Sequence, residues 1–303
     1  MITVIGEAMV NFVAPPVSGL MQASPGGSAF TTAMWAARFG YPTALMARLS
    51  RDSLGQYLRM HAASNGVDVS ASPEADEPTM IAVVPTEADD GTDSLHFRDT
   101  ASWQWSAAEL GWIPTSTTVL NLDLLDCCLL PGSTWILRAA ARQRYRGAIV
   151  CLNVTVKPRV MGSPARGQSL LDRPVKAADL IVTSLKDISW LYRGRQPEAV
   201  ARLWLTEGPE LVVITCGSDG LIAVRKSGAV LYRAPNLQPA AATEFEAAFT
   251  GALLGGLHEL GDAGVKLETV SMNELASVLD NATATASRSD IRSLSLATAA
   301  QLH

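Results

Sequence analysis

The chain has 303 residues, 48% of them hydrophobic, and 24 Lys and Arg against 29 Asp and Glu give a formal charge of −5. That length and apolar content can bury a large core, as one big α/β domain or a domain with a small appendage. The basic residues are scattered rather than gathered in a stripe, which argues against a nucleic-acid or anionic-membrane surface and leaves small-molecule work as the expectation.

The N-terminal "MITVIGEAMVNFV" has no basic leader and no long apolar run, so it reads as a strand rather than a signal peptide. No stretch reaches the roughly 20 apolar residues that span a bilayer, and a cytoplasmic protein with no membrane partner is expected. Short β-branched runs then alternate with helical patterns, as in a parallel sheet covered on both faces. The strand candidates are "MITVIGEAMV", "TALMARL", "TTVLNL", "GAIVCLNV", "DLIVTS" and "ELVVITC". Between them, "SAFTTAMWAARFG", "RDSLGQYLRMHAASNG", "STWILRAAARQRYRG" and "PEAVARLWLTEG" read as helices, each stopped by a glycine in a left-handed C-cap. The expectation is a single doubly wound α/β domain over residues 1–303.

One segment breaks the alternation. "TMIAVVPTEADDGTDSLHF" is two alternating strands around Asp89, Asp90 and Gly91, a hairpin. Inserted early in a parallel α/β chain, it is expected to project around residues 79–98 as a lid over the carboxyl edge of the sheet, where ligands bind in such folds. The alternative is a plain edge hairpin. Its exposed edge suits burial in a homodimer. Trp103, Trp105 and Trp112 follow closely, and they read either as ligand contacts favouring an apolar molecule or as anchors of the lid or a dimer. Cys127, Cys128, Cys151 and Cys216 form no CxxC or Cys/His pattern, and Cys151 and Cys216 read as buried thiols. The four histidines show no metal spacing; only His96, on the lid, falls near the expected site.

The order of "VIGEAMVNFV", "GGSAFTTAMWAARFG", "LSRDSLGQYL", the lid, "LNVTVKP", "DLIVTSLKDISWL", "TCGSDG" and "AAFTGALLGGL" resembles the ribokinase-like sugar kinases of the PfkB family over nearly the whole chain. The resemblance implies a mainly parallel doubly wound sheet with helices on both faces and a small β lid. It also implies phosphoryl transfer from ATP to a sugar hydroxyl. In that family a G-A-G-D turn opens a helix whose amides hold the developing phosphate charge, and its aspartate is the general base.

Here those four positions are Glu244, Phe245, Glu246 and Ala247, and the aspartate that usually precedes them is Ala241. Bulky residues replace both glycines and an alanine replaces the base. The resemblance puts the sugar-side contacts on Asn11, Gly26, Gly27, Thr31, Arg98, Asn153 and Thr155, with Asn11 and Asn153 standing where the family has acids. The nucleotide and metal side falls on Lys157, Ser184, Asp187, Thr215, Gly217, Gly220 and Asn281. The T-x-G-x-x-G match at Thr215, Gly217 and Gly220 is equally what an ordinary tight turn requires.

Thr243 reads as an N-cap and Glu246 as the fourth residue of a Thr-x-x-Glu capping box, which satisfies the helix start internally and closes it to phosphate. Three functions follow. The first is a protein that has lost ATP-dependent sugar phosphorylation and uses its cleft to bind or convert a less charged metabolite. The second is a kinase whose base has moved to Glu244 or Glu246, and the third is a pseudokinase that acts by binding alone. No cofactor is expected, and ATP with magnesium enters only under the second.

Overall fold

A computed structural model describes residues 1–14, 21–85, 95–96, 99–233 and 242–287. The "MITVIGEAMV" run does not form one strand. It divides at Gly6 into β1 (Ile2–Ile5), which joins the main sheet, and β2 (Met9–Ala14), which leaves its carboxyl end for a second sheet. β3 (Gln22–Gly26) pairs antiparallel with β2 before α1 (Ser28–Arg38), β4 (Thr43–Met46), β5 (Leu49–Ser50) and α2 (Ser53–Ser64).

The hairpin follows as β6 (Glu74–Ala75), β7 (Met80–Pro85) and β8 (Leu95–His96), with β7 and β8 antiparallel as expected. Its turn at Asp89, Asp90 and Gly91 lies outside the described residues, as does the side chain of His96. The second half runs β9 (Val119–Asp123), α3 (Leu124–Cys128), α4 (Gly132–Tyr145), β10 (Ile149–Val154), α5 (Pro158–Met161), α6 (Pro164–Ala177), β11 (Leu180–Ser184) and α7 (Leu185–Leu191). It closes with α8 (Pro197–Glu207), β12 (Leu211–Thr215), β13 (Leu221–Arg225), β14 (Val230–Arg233), α9 (Ala242–Asp262) and α10 (Met272–Ala286).

The main sheet has the order β14-β13-β12-β11-β10-β9-β1-β4, parallel except for its last two strands β13 and β14. Its inner strands read as continuous apolar runs because both faces are buried. Successive side chains alternate between two clusters: Val119 and Cys151 pack with α1, α9 and α10, while Leu120 and Leu152 pack with α4, α6 and α8. The second sheet, β3-β2-β7-β8, is the lid, so the lid holds four strands rather than the hairpin alone. Asp52 ties it down: its carboxylate caps α2 through the Gly55 N–H at 2.8 Å and accepts from the Thr79 N–H and hydroxyl at 2.8 and 2.6 Å.

Gly40, Gly66 and Gly147 follow their helices with φ of 91°, 80° and 94°, the expected left-handed caps. Gly208 does not: its φ of 164° is extended backbone, and a Cβ there would press on the Lys176 carbonyl at 3.3 Å, so close approach rather than handedness favours glycine. Trp103 and Trp105 are buried at 4% and 1% exposure in the core beneath α4, so they are not ligand contacts at a cleft mouth; Trp112 is exposed. Cys151 is buried as expected, whereas Cys216 is only half-buried.

Candidate functional site

The carboxyl ends of β1, β9, β10 and β11 meet along one edge of the sheet, and α1, α3, α5 and α7 begin there. Ser184, the last residue of β11, caps α7. Its hydroxyl accepts from the Asp187 N–H at 3.1 Å and donates to the Asp187 carboxylate at 2.6 Å. The other Asp187 oxygen accepts from the Val156 N–H at 2.8 Å, which fixes the loop after β10 and hence Lys157 at the start of α5. Burial raises the Asp187 carboxyl above the usual range, against these hydrogen bonds and the Lys157 charge.

Glu246 faces this group from α9. Burial first, then the charge of Asp187, lifts its carboxyl to about 7, with Lys186 and Lys157 opposing. Ala247 beside it is half-buried against the α1 side of the core. The helix begins at Ala242, one residue before the expected cap Thr243. The side chains of Thr243 and Glu244, and all of Ala241, lie outside the described residues, and with them the capping box. Because α9 is helical from Ala242, the N–H groups of Glu246 and Ala247 fall in its hydrogen-bonded ladder rather than among the free amides of its first turn.

On the sugar side, the Asn153 amide donates to the Ser28 hydroxyl at 2.9 Å, joining the end of β10 to the start of α1. Thr155 is half-buried just beyond. The Thr31 hydroxyl is turned back onto the Gly27 carbonyl of its own helix. Gly26 and Gly27 have reasons within the fold. A Cβ on Gly26 would overlap the Asn11 amide, and one on Gly27, whose φ is 104°, would meet the Glu7 carbonyl. Arg98 lies outside the described residues.

The remaining nucleotide-side residues lie next along the same edge, with Thr215 of β12 opposite Ser184 of β11. The Thr215 hydroxyl donates to the Thr183 carbonyl at 3.3 Å, and Gly217 and Gly220 turn with φ of 59° and 93° between β12 and β13. Beside the turn is a cavity of about 440 Å³ lined by Leu185, Cys216, Asp219, Leu221, Ile222, Tyr232 and Arg233. Asn281 is exposed on α10.

Sequence reasoning missed the floor of the cleft. Glu7, just after β1, Asp123, which ends β9 and caps α3, and Asp126 in α3 are buried together, with one carboxylate oxygen from each within 4.8 Å of the others. Burial raises all three carboxyls, Asp123 to about 7 with the Glu7 charge adding, and Asp126 well above the usual carboxylate range with the Asp123 and Glu7 charges adding. Lys157 draws Glu7 and Asp123 down. Ser28, too, lowers Asp123, without reaching hydrogen-bond geometry to its outer oxygen. The available signal was an acid at the carboxyl end of each of two buried strands, where open α/β sheets place their ligands.

Known proteins agree with this architecture. The pfkB family carbohydrate kinase model matches residues 1–258. A fructokinase of Rhizobium leguminosarum bv. trifolii is 25% identical over 73% of this chain and 68% of its own length. An aminoimidazole riboside kinase of Salmonella typhimurium is 26% identical over 83% and 79%. Among solved structures, the fructokinase of Xylella fastidiosa with bound ATP superposes with a TM-score of 0.83 at 19% identity, covering 96% of this chain and 92% of that one. With the family pattern matched over most of its length and the ribokinase-like sheet, helices and lid in place, the chain belongs to the pfkB family of carbohydrate kinases.

Proposed function

We propose that this protein no longer transfers phosphate from ATP to a sugar and uses the cleft under its lid to bind or convert a small metabolite less charged than a nucleoside triphosphate. One observation carries the reading. α9 runs helical from Ala242 through the positions where the family resemblance requires an open glycine turn and an aspartate base. The amides of Glu246 and Ala247 belong to the helix ladder, and an alanine side chain accepts no proton.

The cavity by Cys216 and Tyr232 falls within the usual size of a ligand pocket and suits an apolar or aromatic group. The phosphate end does not fit a magnesium triphosphate. Glu246 occupies it, Asp187 is already bonded to Ser184 and Val156, and the Lys157 charge is shared among Glu7, Asp123, Asp187 and Glu246. Titration calorimetry with magnesium ATP, beside a phosphorylation assay over hexoses, pentoses and nucleosides, tests the reading. A dissociation constant weaker than about 1 mM and no ATP-dependent product are expected. Micromolar ATP binding with sugar phosphorylation would overturn it.

A second reading has its own support. A carboxyl lifted to about 7 is suited to act as a general base at neutral pH, and Glu246 is such a group one residue from the family's base position. If it is the base of a relocated kinase, Glu246→Gln abolishes turnover while leaving substrate affinity within a few-fold. Phosphorylation unchanged by Glu246→Gln rules this second reading out.

A further inference from the structure

The buried acids at the floor of the cleft have a feature that packing alone does not supply. Each ties one carboxylate oxygen to a fixed protein donor: Glu7 Oε1 to the Ser28 N–H at 3.4 Å, Asp123 Oδ1 to the Leu125 N–H at 3.1 Å, and Asp126 Oδ1 to the Trp105 indole N–H at 3.3 Å. The second oxygen of each, Glu7 Oε2, Asp123 Oδ2 and Asp126 Oδ2, is buried with no hydrogen-bond partner. The residues themselves are 1–2% exposed, so water does not satisfy these oxygens from outside. A buried acceptor without a partner is destabilising, and three in one place are more so.

The local backbone is shaped to allow this gathering. A Cβ on Gly6 would lie 2.7 Å from the Asp123 Cβ and 3.4 Å from Asp126 Oδ2, so a side chain there would push the end of β1 away from α3. Parallel pairing of β1 with β9, Ile5 opposite Leu122, brings Glu7 level with the start of α3 although 116 positions separate Glu7 from Asp123 in the sequence. Among the described residues this is the one group of three His, Cys, Asp or Glu whose donor atoms come together in this way.

The charges do not balance by themselves. Lys157 is the cation that acts on Glu7 and Asp123, and it also acts on Asp187 and Glu246. Were all three carboxyls ionised, one ammonium would leave two negative charges uncompensated in a site shielded from water, which is the charge a divalent cation carries. Hard divalent cations take oxygen ligands, carboxylates above all, at roughly 2.0–2.6 Å. Three oxygens within 4.8 Å of one another are able to surround such an ion.

We propose that Glu7, Asp123 and Asp126 form a site for a hard divalent cation at the floor of the cleft, held through the three carboxylate oxygens that the protein leaves without partners. The ion would stand near Ser28, and none of its three ligands comes from α9 or from the β12–β13 turn. The site is therefore independent of whether the protein phosphorylates anything.

The test uses the intact chain, stripped with a chelator and free of nucleotide. Titration with Mn2+, followed by electron paramagnetic resonance, is expected to show one saturable site per chain and a raised melting temperature. Asp126→Asn and Glu7→Gln should each weaken Mn2+ at least about tenfold. No saturable binding, or binding unchanged in both variants, overturns the proposal. Should the variants fail to fold, the unaltered protein still decides. Terbium bound here lies beside Trp105, so tryptophan excitation should give terbium emission that excess Ca2+ abolishes. Terbium that binds without such emission places the cation elsewhere and refutes the site.

Discussion

The turn between β12 and β13 and the start of α9 descend from the same kind of sequence feature, a short glycine motif at the end of a strand or the head of a helix. They have fared differently. The turn keeps Thr215, Gly217 and Gly220, while the helix start carries Glu244, Glu246 and Ala247 where the family resemblance expects glycines and an aspartate. The turn's glycines stand at φ of 59° and 93°, conformations that favour glycine whether or not a nucleotide binds. The helix start has no such backbone requirement. The fold itself demands the turn's glycines, so their presence does not speak for ATP, whereas no backbone conformation accounts for the residues at the helix start.

The sharpest way to break this comparison is at a third glycine pair. If Gly26 and Gly27 are held by the fold, as the β12–β13 turn is, then Gly27→Ala should be severely destabilising, by about 3 kcal/mol, through a left-handed φ and collision with the Glu7 carbonyl. Urea unfolding measures it. A loss under about 1 kcal/mol would return the pair to a ligand-contact role.

The next effect is on α9. Replacing Glu244, Glu246 and Ala247 with Gly, Gly and Asp puts two glycines in a helix that begins at Ala242, which should lower stability by about 2 kcal/mol. It should not restore sugar phosphorylation, because Asn11 and Asn153 stand where the family resemblance puts acids on the sugar side as well. Brisk turnover by this variant would show that only the helix start had been lost.

Much of this contrast was legible in the sequence because the parallel strands are buried on both faces and appear as unbroken apolar runs. The division of "MITVIGEAMV" into β1 and β2 was not. Its alternation continues past Gly6, and what separates the two strands is a choice of sheet rather than a local turn. β3, "QASPG", has no β-branched residue and was invisible for that reason. The residues at Asn153, Lys157, Ser184, Asp187 and Glu246 were found and are gathered at one edge of the sheet. The floor of Glu7, Asp123 and Asp126 was missed because parallel pairing, not spacing along the chain, brings it together. Trp103 and Trp105 were placed near a cleft mouth from position alone, whereas one of them supports that floor from the core.

Glu246 allows a finer measurement. Its carboxyl rises from an ordinary 4.5 to about 7 in the folded protein, so between those values the folded chain holds a proton that the unfolded chain has lost. Stability from this group is therefore full below about pH 4.5 and is lost as pH rises through 7. Glu246→Gln removes the penalty of burying the charge. It should stabilise the protein at pH 8 by roughly 1–2 kcal/mol, discounted from the full shift because the side chain is only half-buried, and change little at pH 5. Equal effects at both pH values would mean that Glu246 is ionised throughout and well solvated.

The smallest effect belongs to the β12–β13 turn. Gly217 stands at φ 59° with nothing within 4 Å of the place a Cβ would occupy, so its glycine serves backbone conformation alone. Gly217→Ala should lower stability by roughly 1 kcal/mol, and Gly217→Asn by less, because asparagine tolerates the left-handed region. The cavity lined by Cys216 and Tyr232 lies against this turn, and any ligand there should bind the asparagine variant about as well as the original protein. If instead Gly217→Asn folds normally but loses a ligand that the unaltered protein binds, the glycine was making room for that ligand. The two ends of the cleft would then differ in which ligand they keep, not in whether the fold explains their glycines.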